Sequence, residues 1–227
     1  MIYEMKVEDQ CYVMSWEEYD QAIQMLASKL EEQSFYPDVI IGVFQGGWIV
    51  GQSLLDHFRR ARMVGCQVNY NEEVLSPFYT VTDERKGGFP ELIENKQILL
   101  IDEVIDSGKT LSFFMGDLLK LNSGNVKIAS FFYFSNSQII PNFSIKKLEE
   151  PLNIVFPWRY NRDMDTILYA VLQHQWLMID EIQRLIQAKF NIQYSILSIE
   201  EGVARLHIQG LIVKDHHSVM KKLKMED

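Results

Sequence analysis

Cysteine is nearly absent from this sequence: only Cys11 and Cys66 occur in 227 residues. Two are too few for a disulfide framework and have no metal-ligand spacing, so reduced thiols in the core or at the surface are expected. An excess of basic charge is absent as well. The chain carries 22 Lys and Arg against 31 Asp and Glu, a net charge of −9. That balance gives no support to a broadly basic surface for nucleic acid or membrane, although a local basic patch is compatible with it. No run approaches the roughly 18–20 apolar residues of a membrane span. The opening MIYEMKVEDQ mixes acids and bases early and has no apolar signal region, so the expected location is cytoplasmic. Internal repeats and low-complexity segments are missing too. What is present, 47% hydrophobic and 23% charged residues, is ordinary for a globular chain that can hold one sizeable α/β core plus a small satellite.

Local patterns alternate between strand and helix. SWEEYDQAIQMLASKLEE (15–32) opens with Ser15 and Glu18 in capping-box spacing, and Tyr19, Ile23, Leu26 and Leu30 recur at helical period. DVIIGVF (38–44) reads as a strand that ends in Gln45-Gly46-Gly47, with a helix over 48–60. A second strand is expected over 62–70. Residues 71–96, polar and holding Pro77, Gly87-Gly88 and Pro90, read as a long loop of the kind that serves as a lid or binding segment. Strand 97–101, an acidic turn, helix 109–121 and strand 127–134 follow. This alternation predicts βαβ units and a parallel sheet, with glycine turns at two strand ends, where open α/β sheets place ligands.

The chemistry concentrates in QILLIDEVIDSGKTL (97–111). A glycine turn leading into a helix N-terminus binds phosphate through converging N–H groups and the helix dipole. Ser107 and Thr110 add hydroxyls, and Gly108 lets the backbone approach closely. The NTPase loop would need glycine where Glu103 stands, and GVFQGGWIVG (42–51) lacks the G-x-G-x-x-G spacing of a dinucleotide site. What remains is a phosphate cradle preceded by adjacent carboxylates, which can accept bonds from vicinal sugar hydroxyls or hold a cation. The combination suits a phosphorylated sugar; the plainer alternative is a strand-turn-helix with solvated acids and a capped helix.

ILLIDEVIDSGKTL (98–111) resembles the ribose-phosphate signature of the type I phosphoribosyltransferases. DVIIGVFQGGWIVG (38–51) resembles their pyrophosphate loop, and 71–96 sits where the family keeps a flexible catalytic loop. SWEEY (15–19) and VFPW (155–158) resemble the purine and xanthine branch. The resemblance spans roughly residues 12 to 160 and implies a type I phosphoribosyltransferase-like parallel sheet flanked by helices. It further implies transfer of the phosphoribosyl group of phosphoribosyl pyrophosphate (PRPP) to a purine-like base. On this resemblance Asp102 and Glu103 contact the ribose hydroxyls and Mg2+. Ser107, Gly108, Lys109 and Thr110 hold the 5′-phosphate, and Asp106 handles a proton near N7 of the base. Gly46 and Gly47 bind departing pyrophosphate, and Trp158 covers the base.

Four positions depart from the family pattern. Glu103 stands where aspartate is usual, and Gln45 where a basic residue is common. Phe134 stands where the purine branch places a lysine for the 6-oxo group, and a site without that donor discriminates against 6-oxopurines. Arg159, beside Trp158, replaces a common acid.

From 162 onward the pattern is helical, with Ile167, Leu168, Val171 and Leu172, then Ile182, Leu185 and Ile186, then Ile199, Val203, Leu206 and Ile208. A Gly210 turn and a short ribbon follow. The chain is thus expected to divide into 1–161 and a winged-helix-like 162–227. The second segment holds 8 basic and 9 acidic residues, and its third helix offers Glu200 and Glu201 against Arg205. Nucleic-acid binding, which would rest on Lys214, His216, His217, Lys221 and Lys222, is disfavoured relative to a packing or dimerisation module. The expected assembly is a homodimer. The competing function is a regulator that senses PRPP or a nucleotide and binds DNA through this module.

Overall fold

The computed structural model describes residues 10–71, 74–81, 89–121, 125–150, 152–172, 176–215 and 218–221. Strand β1 (Gln10–Val13) precedes helix α1 (Trp16–Glu32), followed by β2 (Val39–Val43), α2 (Gly46–Leu54), β3 (Arg62–Asn71) and β4 (Val74–Val81). Next come α3 (Phe89–Ile93), β5 (Gln97–Ile105), α4 (Lys109–Lys120), β6 (Asn125–Phe134), β7 (Phe143–Leu148) and β8 (Leu152–Val155). A 3-10 turn (Pro157–Arg159) leads into α5 (Tyr160–Val171), β9 (Leu177–Met178), α6 (Ile179–Phe190), α7 (Ile196–Ile208), β10 (Ile212–Lys214) and β11 (Ser218–Lys221).

Two compact units result: Glu17–Glu150, and a second drawn from residues 1–16 and 151–227. The sequence pattern suggested a division at 161/162. The second unit reaches further back because β1 runs parallel to β8, from Gln10 beside Leu152 to Val13 beside Val155. Met14 N–H then donates to Val155 O at 2.9 Å, extending this pairing.

The first unit is built on a six-stranded sheet in the order β4-β3-β2-β5-β6-β7. All neighbours are parallel except β3 and β4. Strand β2 is buried along its whole length, as a continuous β-branched run requires when helices cover both faces. Alternation in β2 and β5 turns Val39, Ile41, Ile98 and Leu100 into one core with α3 and α4, where Ile93, Leu111, Phe114 and Leu118 are buried. Helix α1 buries Tyr19, Ile23, Leu26 and Leu30, the stripe its sequence period specifies. The Tyr19 hydroxyl meets Ser53 Oγ at 2.6 Å and donates to Ile49 O at 3.3 Å, fastening α2 to α1.

The expected loop over 71–96 contains a strand. Residues 74–81 pair antiparallel with β3, from Asn71 opposite Val74 to Val64 opposite Val81. Pro77, read from sequence as a loop residue, falls in β4, which is the edge strand and pairs on one side only, the sheet position where proline is tolerated. The interior of the segment, 82–88 with Gly87-Gly88, lies outside the described residues. Helix α2 is also shorter than the expected 48–60, since it starts at Gly46 and gives way to turns after Leu54.

The second unit packs α5, α6 and α7 around Met164, Ile167, Leu168, Ile182, Ile186, Ile199, Val203 and Leu206. A three-stranded antiparallel sheet in the order β10-β11-β9 completes it. Helix α7 ends in a Schellman pair: Gly210 N–H to His207 O at 2.9 Å and Leu211 N–H to Leu206 O at 3.1 Å. Gly210 takes the left-handed φ of 71° that this motif asks for. Ile208, expected on the apolar stripe, is instead 85% exposed; it falls half a turn beyond Leu206 and faces away from the core. Arg205 reaches from α7 to Asp165 on α5 in a bidentate bond, with contacts of 2.8 to 3.1 Å. His216, His217 and Lys222 lie outside the described residues.

Candidate functional site

Strand order reverses between β2 and β5: the chain proceeds outward from β2 to β3, and from β5 through β6 to β7. The loops leaving the carboxyl ends of these two strands diverge there and leave the crevice in which open α/β sheets hold ligands. Residues 44–47 come from one loop and 106–110 from the other, so the structure brings together both glycine turns singled out in the sequence.

Strand β5 continues through the acids to Ile105 rather than stopping at residue 101. Asp102 and Glu103 are therefore strand residues, both half-buried, and strand alternation sends them to opposite faces. Asp102 shares the parity of Ile98 and Leu100, the face toward α4; its Oδ1 accepts the Glu103 N–H at 3.0 Å. Burial, with the Asp102 carboxylate second, pushes the Cys66 thiol far up. Cys66 is thereby an inert core residue.

Glu103 points to the other face, toward the start of α2. A Cβ on Gly46 would collide with the Glu103 carboxylate, and one on Gly47 with Ile101 O and Asp102 Cα. The absence of side chains at both positions lets the first turn of α2 lie directly on the end of β5. Gln45 is the N-cap and makes no side-chain capping bond to the helix.

The second cradle is tied down from behind. Gly108 caps α4 with φ 76°, and Ser112 N–H donates to its carbonyl at 2.9 Å. An added Cβ would lie 2.8 Å from Ser137 Oγ and 2.9 Å from Ile139 N. Gln138 N–H donates to Ser107 O at 3.0 Å, and Ser137 N–H to Phe134 O at 3.0 Å. Ile139 N–H donates to Ser137 Oγ at 3.2 Å. Thus the β6–β7 connection braces the turn 106–110. Ser137 and Gln138 were not singled out in the sequence; only a Gly108 needing close approach hinted that something would pack behind it. Ser107 and Thr110 are half-buried in the turn, whereas Asp106 and Lys109 are exposed. The Lys109 N–H reaches Ser107 Oγ only at 3.5 Å.

Phe134 closes β6 as a half-buried residue beside Leu148 of β7. It is neither a core aromatic nor a donor. Trp158 belongs to the second unit, where its ring stacks on Phe156 at 4.7 Å and 16°. Arg159 is held by Asp163, 3.2 Å away one turn on. Among the described residues no cluster of three or more His, Cys, Asp and Glu side chains could hold a metal ion. Asp102 and Glu103 each offer hard carboxylate oxygens, the donor type a magnesium ion takes when it keeps waters and draws its other ligands from a bound phosphate compound.

A mostly parallel sheet, with two glycine-opened helix starts and an acid pair at its switch point, defines an α/β protein of the open-sheet class. The chain belongs to the phosphoribosyl transferase domain family, whose model matches residues 15–165. Among solved structures it is similar to a purine phosphoribosyltransferase from Pyrococcus horikoshii. That match has 29% identity and a TM-score of 0.54, over 66% of this chain and 93% of the other. A xanthine-guanine-hypoxanthine phosphoribosyltransferase from Helicobacter pylori shares the fold at 20% identity and TM-score 0.52, covering 68% and 97%. So does a hypothetical protein from Neisseria gonorrhoeae with bound ppGpp, at 24% and 0.54, covering 79% and 97%. No curated protein matches the sequence significantly.

Proposed function

We propose that this protein transfers the 5-phosphoribosyl group of PRPP to a purine-like base of the hypoxanthine, guanine or xanthine class, releasing pyrophosphate in cytoplasmic nucleotide salvage. One observation carries the reading: Asp102 and Glu103, near the end of β5, lie between two glycine-opened helix starts, an order that suits one sugar site flanked by two phosphate sites. The purine class is supported by the similarity to the Pyrococcus enzyme. Ser107, Gly108, Lys109 and Thr110 receive the 5′-phosphate at the start of α4, and the acids take the ribose hydroxyls. Gly46 and Gly47 direct backbone N–H groups of α2 at the leaving pyrophosphate. As the C1′–O bond to pyrophosphate breaks and the C1′–N9 bond forms, the N7 proton passes to the exposed Asp106. Asp102 and Glu103 would hold a Mg2+ ion, which neutralises charge on the pyrophosphate.

The DNA-binding regulator draws little from the second unit. Arg205, in the last turn of α7, is tied to Asp165, and Glu200 and Glu201 are exposed on the same helix. The winged-helix reading of 162–227 rests on the three helices and the β10–β11 ribbon, with packing or homodimer formation as its proposed role.

Calorimetry with PRPP and Mg2+ tests the site. Binding is expected for the wild type, weaker for Thr110→Ala and weaker still for Asp102→Ala. Asp106→Asn is expected to keep PRPP binding and lose turnover, measured as pyrophosphate release with a panel of bases, by about 10²–10⁴-fold. A wild type that binds neither PRPP nor a nucleoside monophosphate would sink the proposal.

A further inference from the structure

The family resemblance assigns Glu103 to the sugar, and the geometry also sets its carboxylate against the start of α2. The carboxylate fills the space a methyl on Gly46 would need, and Gly46 is the first residue of the nine-residue helix α2. A helix start carries partial positive charge and unpaired N–H groups, so it favours an anion. No acidic residue of the first turn supplies one, and Gln45 makes no capping bond. The start of α2 lies close against the sheet: a Cβ added to Gly47 would collide with Ile101 O and Asp102 Cα, and one added to Gly42 would lie 2.7 Å from Gly47 O and Trp48 Cα. The anion that lies beside this terminus is the Glu103 carboxylate of β5. Aspartate, one methylene shorter, would reach less far.

We propose that the Glu103 carboxylate acts as an internal anion at the start of α2, which the pyrophosphate group must displace. Resting on the phosphoribosyl-transfer reading, this assigns Glu103 a second role: it is a positioning residue that screens the pyrophosphate subsite. Pyrophosphate and the carboxylate compete for one helix terminus and repel each other, so metal-free pyrophosphate binds poorly. Magnesium removes the conflict by giving the displaced carboxylate a cation to face. Pyrophosphate binding consequently depends on the metal more steeply than charge neutralisation of the ligand alone requires.

The test is calorimetric titration of inorganic pyrophosphate into the full chain, with and without Mg2+. Glu103→Gln keeps the shape and removes the charge, and is expected to bind metal-free pyrophosphate about tenfold tighter than wild type. With Mg2+ the difference shrinks or reverses. Glu103→Asp keeps the charge but withdraws it from Gly46, and falls between the two; it decides the matter alone if the glutamine variant does not fold. Metal-free affinity unchanged or lowered in the variants, while wild type binds magnesium pyrophosphate, overturns this inference and leaves phosphoribosyl transfer standing. If wild type binds pyrophosphate and PRPP under neither condition, both fall together.

Discussion

At the scale of single residues, the site is a set of positions where side chains are missing as much as present. Gly46 and Gly47 exist because β5 and the Glu103 carboxylate occupy the space beyond them, and Gly108 because the β6–β7 connection does. The acids, the hydroxyls and the glycines could be picked out in the sequence by type and order, and the structure brings the two glycine turns to the ends of neighbouring strands. The Glu103–Gly46 contact was not legible: residues 57 apart meet only once the sheet is assembled. Phe134 ends β6 half-buried, and its side chain has no hydrogen-bond donor. Phe134→Lys is expected to improve use of 6-oxopurines by about 1–3 kcal/mol, toward the low end because the introduced amine has no supporting shell. Steady-state kcat/KM for hypoxanthine, guanine and xanthine measures it. A wild type already selective for one of them and damaged by the change would show that the donor comes from elsewhere.

At the scale of elements, periodicity located the strands and helices that carry a strong pattern and misjudged those defined by their neighbours. Strand β5 runs four residues past its apolar stretch because β6 pairs with it through Ile105 beside Tyr133. Strand β4 was hidden by Pro77, which interrupts VLSPFYTV, and by the polar, glycine-containing sequence that follows it; an edge position tolerates that proline. The brace behind the phosphate turn, Ser137 to Ile139, has no local signature at all. It predicts that the turn is stiff. Gly108→Ala forces an L side chain to φ 76° and drives its Cβ against Ile139 N, a backbone atom that cannot rotate aside. A loss of about 1–3 kcal/mol is expected from urea unfolding, together with weaker binding of a nucleoside 5′-monophosphate. An unchanged midpoint would mean that residues 135–140 yield readily and do not brace the turn.

At the scale of the whole molecule, two cores with different logic share one chain. The first is a sheet whose switch point creates the site. The second is a helical core joined by β1 and β8, and this pairing of distant segments is why a linear reading set the division 11 residues later than the structure does. The helices of the second unit were legible from their spacing; its polar fastener was not, since Asp165 and Arg205 lie 40 residues apart. Asp165 is 8% exposed, and the Arg205 side chain keeps 31% of its surface in water. Removing the carboxylate thus strands a charge that is only partly desolvated. Asp165→Asn is expected to cost about 1–3 kcal/mol, below the loss for a fully buried pair. Because the damage lies between α5 and α7, thermal unfolding should shift downward while PRPP affinity, set by residues of the first unit, stays within about twofold of wild type. An Asp165→Asn protein that loses PRPP binding while remaining folded would show that the second unit supports the sugar-phosphate site, and that the two cores are energetically one.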